Sequence, residues 1–285
     1  MRKLRIKHPI VYCLIAYVLW FLAQNLFGIL GIVIENRVLP MNGQIMQLTG
    51  EAGSALIAFL MIKWTKRGSI LSEKGIGLGN GMKYGLVIIL LAVVMTILSI
   101  DRSRLQLNPL PVILVFLIYM LTVGMAEDFL YRGVMAESLL EHFGTSRAGV
   151  QKAAVISSLI FALTHYMNLT TGASFLGVSL QVLNAFLAGL TLAVIYFRTG
   201  NIWTVVIIHA IWDFFSLLQS ANGLFVSSTS FAETLSVGVD FSMFAAMGVL
   251  LAFSVFMLSR KELYEAASIF FDPYVKIQEE EKKEF

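Results

Sequence analysis

The chain has 285 residues, of which 58% are hydrophobic and only 14% are charged, and its formal net charge is +3. Soluble domains carry about 25% charged residues, so this composition excludes a mainly soluble protein and any large soluble domain. The single cysteine, Cys13, excludes a disulfide within the chain, a thiolate metal site and a Cys/His catalytic pair. Basic residues lie beside apolar segments and indicate membrane topology rather than a nucleic-acid-binding surface.

Apolar segments of membrane-spanning length follow one another along the chain. A spanning helix needs about 20 mostly apolar residues. The predicted helices cover residues 10–34, 44–64, 83–100, 110–130, 150–167, 174–197, 201–219 and 238–258. The first is too long for a signal peptide and has no small-residue cleavage site after it. The predicted fold class is therefore all-α, a polytopic membrane helical bundle of about eight transmembrane helices.

Lysine and arginine are concentrated on one side of this arrangement. If there are eight spans, one side holds Arg2, Lys3, Arg5, Lys7, Lys63, Lys66, Arg67, Lys74, Lys83, Arg147, Lys152, Arg198, Arg260 and Lys261. The other side holds only Arg37, Arg102 and Arg104. Cytoplasmic loops are the richer in lysine and arginine. The sequence therefore predicts an integral protein of the plasma membrane with both termini in the cytoplasm.

Ionisable side chains interrupt three of the predicted helices. A charge at the centre of a bilayer costs roughly 2.5–3.5 kcal/mol on insertion scales, so such residues usually face one another or a polar cavity. The residues are Glu127, Asp128 and Arg132 in EDFLYR, His165 in FALTH, and His209 and Asp213 in HAIWD. We expect these side chains to meet around one polar site, although a static polar core would use the same residues.

Helical spacing suggests different roles for the two acids of the first motif. Asp128 and Arg132 are four residues apart, so they share a face and can form an ion pair. Glu127 lies about 100° from Asp128 on a helix of 3.6 residues per turn, which leaves it free to face water or a substrate. The alternative is that both acids hold Arg132.

The two histidine motifs are ambiguous when each is taken alone. A single histidine such as His165 on an apolar helix is more often a hydrogen-bonded packing residue than a functional group. His209 and Asp213 are four residues apart, so the carboxylate can orient the imidazole ring. The same pair could bind one metal ion or simply join two helices. Taken together, a glutamate, two histidines and an aspartate on three helices predict a water-activating site.

In this order on separate helices, the motifs E-[ED]-x-x-x-R, F-x-x-x-H and H-x-x-x-[ND] resemble the CAAX-protease and bacteriocin-processing family of intramembrane endopeptidases (CPBP, or Abi). The segments 127–132, 161–165 and 209–213 match them residue by residue, and the resemblance covers about 120–215. It implies hydrolysis of a peptide bond in a membrane-associated peptide or protein. The implied general base, which activates water, is Glu127.

The resemblance also implies roles for the other motif residues. His165 would hold or polarise the water, His209 and Asp213 would stabilise the oxyanion or bind a metal, and Arg132 would be structural. Asp128 stands where a second glutamate is common, which does not affect the base. Asp213 stands where other members have asparagine. An ionised aspartate cannot donate a hydrogen bond to an oxyanion, so Asp213 would have to be protonated, orient His209 or bind a metal.

Cofactor, partners and domains follow from the same resemblance. Metal dependence stays open: one divalent metal such as zinc could use His165, His209 and Glu127 as ligands, since catalytic zinc usually takes three, but no free base would then be evident. Without a metal, Glu127 alone deprotonates the water. The implied partners are a membrane-associated peptide or protein and the lipid bilayer, with no nucleic acid. Residues 1–109 would form N-terminal membrane helices, 110–220 the catalytic core, and 221–285 the last membrane helix and a cytoplasmic tail.

Two other functions are compatible with the same residues. One is a non-proteolytic peptide-binding or bacteriocin-immunity protein on the same fold. The other is a small proton-coupled transporter, in which buried carboxylates and histidines relay protons. Transporters often contain inverted repeats, and the sequence shows no repeat.

Overall fold

The computed structural model describes residues 2–38, 41, 43–102, 105–220, 223–226 and 241–284, and this part of the chain is 85% helical without a strand. The main helices are α1 (Arg2–Lys7), α2 (Pro9–Arg37), α3 (Gln44–Trp64), α4 (Leu78–Ser99), α5 (Leu110–Asp128), α6 (Glu137–Phe143), α7 (Arg147–Thr164), α8 (Phe175–Thr199), α9 (Ile202–Ser216), α10 (Phe241–Ser259) and α11 (Lys261–Glu284). A π-helical segment, Phe129–Ala136, joins α5 to α6 without a break.

The predicted fold class, a polytopic helical bundle, is confirmed. In the part of the chain that the structure describes, six helical runs are long and apolar enough to cross a membrane. A seventh is the pair Met243–Ser259 and Lys261–Lys276, whose two parts are bent by 72°, if they count as one span. At 15 residues, α9 is apolar but shorter than a full span. The count of eight therefore stays a prediction, and residues 238–240 of the last predicted span lie outside the described residues.

Large apolar side chains cover the outside of the bundle. On α2, Leu22, Leu26 and Ile29 are more than half exposed, and on α4 so are Leu90 and Leu98. Soluble monomers rarely expose contiguous apolar surface on this scale. These faces are suited to lipid, which agrees with an integral membrane protein.

Glycines allow close approach between the helices that carry the motifs. Gly81 and Gly85, one turn apart on α4, lie against Thr204 and Ile208 of α9. On α5, Gly124 lies against the backbone of α9, where an added Cβ would be 2.6 Å from the carbonyl oxygen of Val206. Small residues spaced in this way let membrane helices pack backbone to backbone. They place α9, which carries His209, directly against α4 and α5.

A buried ion cluster closes one end of the bundle. Arg5 Nη1 lies 3.1 Å from Glu141 Oε2, and Arg67 contacts the Glu141 carboxylate and lies 3.9 Å from Glu137. The Tyr196 hydroxyl donates to Glu137. All of these side chains are 5% exposed or less. Arg5 and Arg67 therefore do more than mark the topology, because they neutralise two carboxylates that would be costly to bury alone.

The last helix, α11, returns across the same end. Leu263, Ala267 and Phe271 are buried against the bundle. Tyr274 donates to Glu73 Oε1 over 2.6 Å, and Gln151 Nε2 donates to the Tyr264 hydroxyl over 3.0 Å. The helix therefore ties the connection between α3 and α4 to α7 at the end that the ion cluster closes.

The close contact at Gly124 predicts that substitution Gly124→Ala destabilises the protein. A methyl group there meets a backbone carbonyl that can move only if α9 moves. Overpacking of this kind costs about 1–3 kcal/mol. We expect a lower unfolding temperature in detergent, followed by intrinsic fluorescence.

Gly248→Ala is the matched control. Gly248 lies within α10, and nothing surrounds the position of its missing Cβ within 4 Å. Alanine is the better helix former by about 0.5–1 kcal/mol, so this variant should be neutral or slightly more stable. Equal unfolding temperatures for the two variants would contradict the packing argument.

Candidate active site

A cavity of about 560 Å³ lies within the bundle. Its walls include side chains from α2, α3, α5, α7, α8 and α9. Four of the six motif residues line it: Glu127, His165, His209 and Asp213. The other two, Asp128 and Arg132, lie behind the wall at 0% and 2% exposure. The structure thus brings all six together around one space and separates the two acids as the spacing predicted.

The helix that carries the first motif changes its winding at the site. Glu127 and Asp128 end α5, and the π-helical segment begins at Phe129. Short π-helical segments are often found at functional sites. Within the segment, Gly133 packs against Ile62 and Ile202, where an added Cβ would lie 3.0 Å from each side chain. The site therefore lies where a wider helical turn is packed tightly against its neighbours.

Asp128 holds two other motif residues at once. Its Oδ1 lies 2.9 Å from Arg132 Nη1, so the predicted ion pair is present. Its Oδ2 accepts a hydrogen bond from Nδ1 of His209 over 3.2 Å. The second contact joins α5 to α9 and was not predicted from the sequence, which assigned Asp128 to Arg132 alone.

Arg132 links three helical segments through contacts of different kinds. Besides its ion pair, its Nη2 donates to the carbonyl oxygen of Gly189 on α8 over 3.2 Å. Its guanidinium carbon lies 5.0 Å from the ring centroid of Phe161 on α7. A carboxylate, a carbonyl and an aromatic face together compensate for burying the charge. Arg132 therefore connects α5, α7 and α8 behind the cavity wall.

The Nε2 atom of His209 faces two carboxylates. It lies 3.4 Å from Glu127 Oε2 and 3.6 Å from Asp213 Oδ2. The latter distance is too long for a hydrogen bond. One role that the sequence left open for Asp213 is to orient the His209 ring. In the structure Asp128 orients that ring, because it binds Nδ1.

His165 is also held in a defined orientation. Its Nδ1 donates to the backbone carbonyl of Phe161 over 3.0 Å, so in the neutral ring Nε2 is the free acceptor. The Phe161 ring contacts both imidazoles edge to face, with centroids 4.9 Å from that of His165 and 6.1 Å from that of His209. Phe161 thus serves both histidines through its backbone and its ring.

Tyr131 and Thr164, which the sequence analysis did not single out, support the same carbonyl. The Thr164 hydroxyl donates to the Phe161 carbonyl over 2.6 Å. The Thr164 Oγ1 atom lies 3.0 Å from the Tyr131 hydroxyl. Because the Thr164 proton is already donated to the carbonyl, the Tyr131 hydroxyl is the donor in this second hydrogen bond. Both residues line the cavity. Tyr131 lies within the first motif, but motif spacing carries no signal for this contact.

Glu51 on α3 is a further acid in the cavity that sequence reasoning missed. Its carboxylate accepts from Gln24 Nε2 over 2.5 Å and from Ser54 Oγ over 3.3 Å. The signal was present in the sequence, because Glu51 is the one acidic residue between positions 44 and 64. An acid within a membrane helix is by itself a sign of a polar site.

The sequence left open whether a metal binds here. Within the described ranges, no group of three His, Cys, Asp or Glu residues is arranged to hold a metal ion. His165 and His209 each use Nδ1 in a protein hydrogen bond, and Nε2 of His209 is directed at Glu127 and Asp213. Metal-ligating histidines commonly hydrogen-bond through their other ring nitrogen, so the Nδ1 contacts are compatible with either route, and the metal stays a prediction.

Comparison with known proteins supplies independent evidence. Residues 109–215 match the family model of Rce1-like type II CAAX prenyl endopeptidases. The matched segment contains all three motifs. Comparison with curated proteins and with solved structures gave no match. The Rce1-like family is a protease family, and the resemblance that the motifs carried is thereby confirmed: residues 109–215 of this integral membrane protein form an Rce1-like region, consistent with the CPBP family of intramembrane proteases.

Proposed function

We propose that this protein is an intramembrane endopeptidase that hydrolyses a peptide bond in a membrane-associated peptide or protein, with Glu127 as the general base. The observation that carries the proposal is the position of Glu127. Its side chain lines the cavity beside His209, whereas Asp128 is turned away into the ion pair with Arg132. The protease family of residues 109–215 favours hydrolysis over transport or immunity.

The proposed reaction begins with a water molecule between the cavity-lining groups. Nε2 of His165 is free to accept a hydrogen bond from that water, because Nδ1 is bound to Phe161. Glu127 removes a proton from the water, and the resulting hydroxide attacks the carbonyl carbon of the peptide. When the C–N bond breaks, Glu127 gives the proton to the departing amine.

His209 is the proposed donor to the oxyanion. With Nδ1–H bound to Asp128, Nε2 needs a second proton if it is to donate. Glu127 and Asp213, at 3.4 and 3.6 Å, are the carboxylates that would share that proton. If Asp213 helps to hold the proton on His209, it acts through the histidine. It then does not itself have to donate a hydrogen bond to the oxyanion, as an asparagine at this position could.

The substrate belongs to the same proposal. The matched family is described by prenyl CAAX endopeptidase activity. For this chain we propose the broader class, a peptide or protein segment held at the membrane, in which maturation of a secreted peptide or bacteriocin is included. The plasma membrane is the proposed location.

Glu127→Gln should abolish proteolysis and preserve the fold. Glutamine keeps the size and an acceptor oxygen but cannot take a proton from water, and general-base catalysis contributes about 10²–10⁴-fold. Turnover of fluorogenic peptides by purified protein in detergent measures the loss.

Asp128→Asn is the comparison that separates the two acids. This variant should lose stability, because the partner of Arg132 and His209 is weakened, and should retain more of its turnover than Glu127→Gln. A stable but inactive Asp128→Asn beside an active Glu127→Gln would reverse the two assignments.

The buried ion pair predicts a stability defect for Arg132→Ala. Removing one partner of a buried pair costs about 3–5 kcal/mol, because the other charge is left uncompensated. The control is Arg260→Ala, since Arg260 and Glu262 form a pair with 52% and 39% exposed side chains. An exposed pair is worth about 0–1 kcal/mol. If both variants unfold at the temperature of the unaltered protein, the structural role of Arg132 is refuted.

Metal dependence is tested by chelation. The absence of a three-residue ligand group among the described side chains favours hydrolysis without a metal. We expect full turnover after prolonged treatment with a membrane-permeant chelator, and a metal content well below one per chain by mass spectrometry. Loss of turnover that added zinc restores would establish the metal route instead.

A further inference from the structure

Among the described residues, the exposed side chains that line the cavity lie at one end of the bundle. Three of the residues that line the cavity are exposed, and these are Gln47, Met167 and Ser216. Gln47 is in the first turn of α3, Met167 lies in the short 3-10 helix His165–Thr171 after α7, and Ser216 is the last residue of α9. Contacts link the start of α3 to α5, and the connection after α9 to the connection after α4. Gln44 donates to the Val112 carbonyl over 3.4 Å, and Gln219 donates to the Asp101 carbonyl over 3.1 Å. We call this the open end of the bundle.

The opposite end is sealed by packed side chains. Every residue from Asp128 to Glu141 is buried along the π-helical segment and α6. Beyond Arg132, the ion cluster of Arg5, Arg67, Glu137 and Glu141 fills the interior of this end. A substrate can therefore reach Glu127 from the open end and is blocked from the sealed end.

The two ends differ in charge. The connections and helix termini at the sealed end carry Lys63, Lys66, Lys74, Arg147, Lys152, Arg198, Arg260 and Lys261. The described residues at the open end include Arg37 and Arg102, and Arg104 lies outside the described residues. Short loops rich in lysine and arginine stay in the cytoplasm. The sealed end is thus the cytoplasmic one, and the open end faces away from the cytoplasm.

Side-chain amides lie among the apolar side chains that line the cavity towards the open end. Asn168 Nδ2 donates to Gln181 Oε1 over 2.8 Å, and Gln47 and Asn184 also line the cavity. Amides both donate and accept hydrogen bonds, so they suit the alternating N–H and C=O groups of an extended peptide. This lining favours a peptide chain as the molecule that passes through the opening.

We propose that the site receives its substrate from the non-cytoplasmic side of the membrane. The substrate class is a peptide or protein segment that has already crossed the membrane or lies in its outer leaflet, rather than one presented from the cytoplasm. The direction of access rests on the cavity and the charge asymmetry. The identity of the molecule as a protease substrate rests on the proposed function above.

Single cysteines test the direction of access. Cys13 is fully buried and is the only cysteine, so Cys13→Ala gives a cysteine-free background. Ser216→Cys then places a thiol at the opening, and Ser72→Cys places one on the exposed connection between α3 and α4 at the sealed end. Each is treated with a membrane-impermeant maleimide in right-side-out and inside-out vesicles. We expect Ser216→Cys to be labelled only in right-side-out vesicles and Ser72→Cys only in inside-out vesicles.

Labelling needs no turnover, so it separates this inference from the proposed function. Labelling of Ser216→Cys from the cytoplasmic side, or of both variants from one side, overturns the inference. Ser220→Cys, also on the cavity wall, replaces Ser216→Cys if the latter fails to fold. The expected labelling pattern without cleavage of any peptide would refute the proposed protease and leave the direction of access in place.

A second experiment measures cleavage of fluorogenic peptides that are supplied on one side of the vesicle membrane at a time. Cleavage should occur with peptide outside right-side-out vesicles, and maleimide on Ser216→Cys should remove it. Maleimide on Ser72→Cys should leave it unchanged. Cleavage only of peptide supplied at the cytoplasmic face would also overturn the inference.

Discussion

The buried carboxylate of Asp128 is the interaction on which the site depends. One oxygen meets Arg132 at 2.9 Å and the other meets His209 at 3.2 Å. Far from water, such an anion needs a compensating charge and hydrogen-bond donors close by. Arg132, on the same continuous helix, compensates the charge, and His209 on α9 donates to Oδ2, so Asp128 sets the imidazole of His209 relative to Glu127, its neighbour in sequence.

Backbone packing gives this arrangement its rigidity. Gly124 brings α9 against α5 one turn before Glu127, and Gly85 brings α4 against the Ile208 side chain that precedes His209. Catalytic groups must be held within about 0.5 Å of their working positions by the structure around them. In lipid, where apolar side chains gain little by leaving the solvent, close contact between backbones is the main source of that precision.

The sequence was sufficient for the class of fold and for four residues that line the cavity, Glu127, His165, His209 and Asp213, because both depend on local patterns. Apolar runs show the helices, and charges inside them show where a polar site must form. The contact between Asp128 and His209 joins residues 81 positions apart, and no spacing rule reports it. Tertiary packing likewise decides three other features that the sequence did not predict. These are the π-helical segment, the burial of Arg5 and Arg67, and the short length of α9. Glu51 is different, since its position in an apolar helix was a readable signal.

A hydrolase within a bilayer must admit water without becoming a pore. Under the proposed function, the chain meets these opposing demands with two charged clusters on one continuous helix, Leu110–Phe143. Glu127 lines the cavity, where a few polar groups can keep water in place. Some ten residues further on, Glu137 and Glu141 pair with Arg67 and Arg5, and these side chains are buried. In the proposed mechanism, ionisable groups thus act on water at one depth and fill the interior at another, and the difference lies in whether their partners are protein side chains or the contents of the cavity.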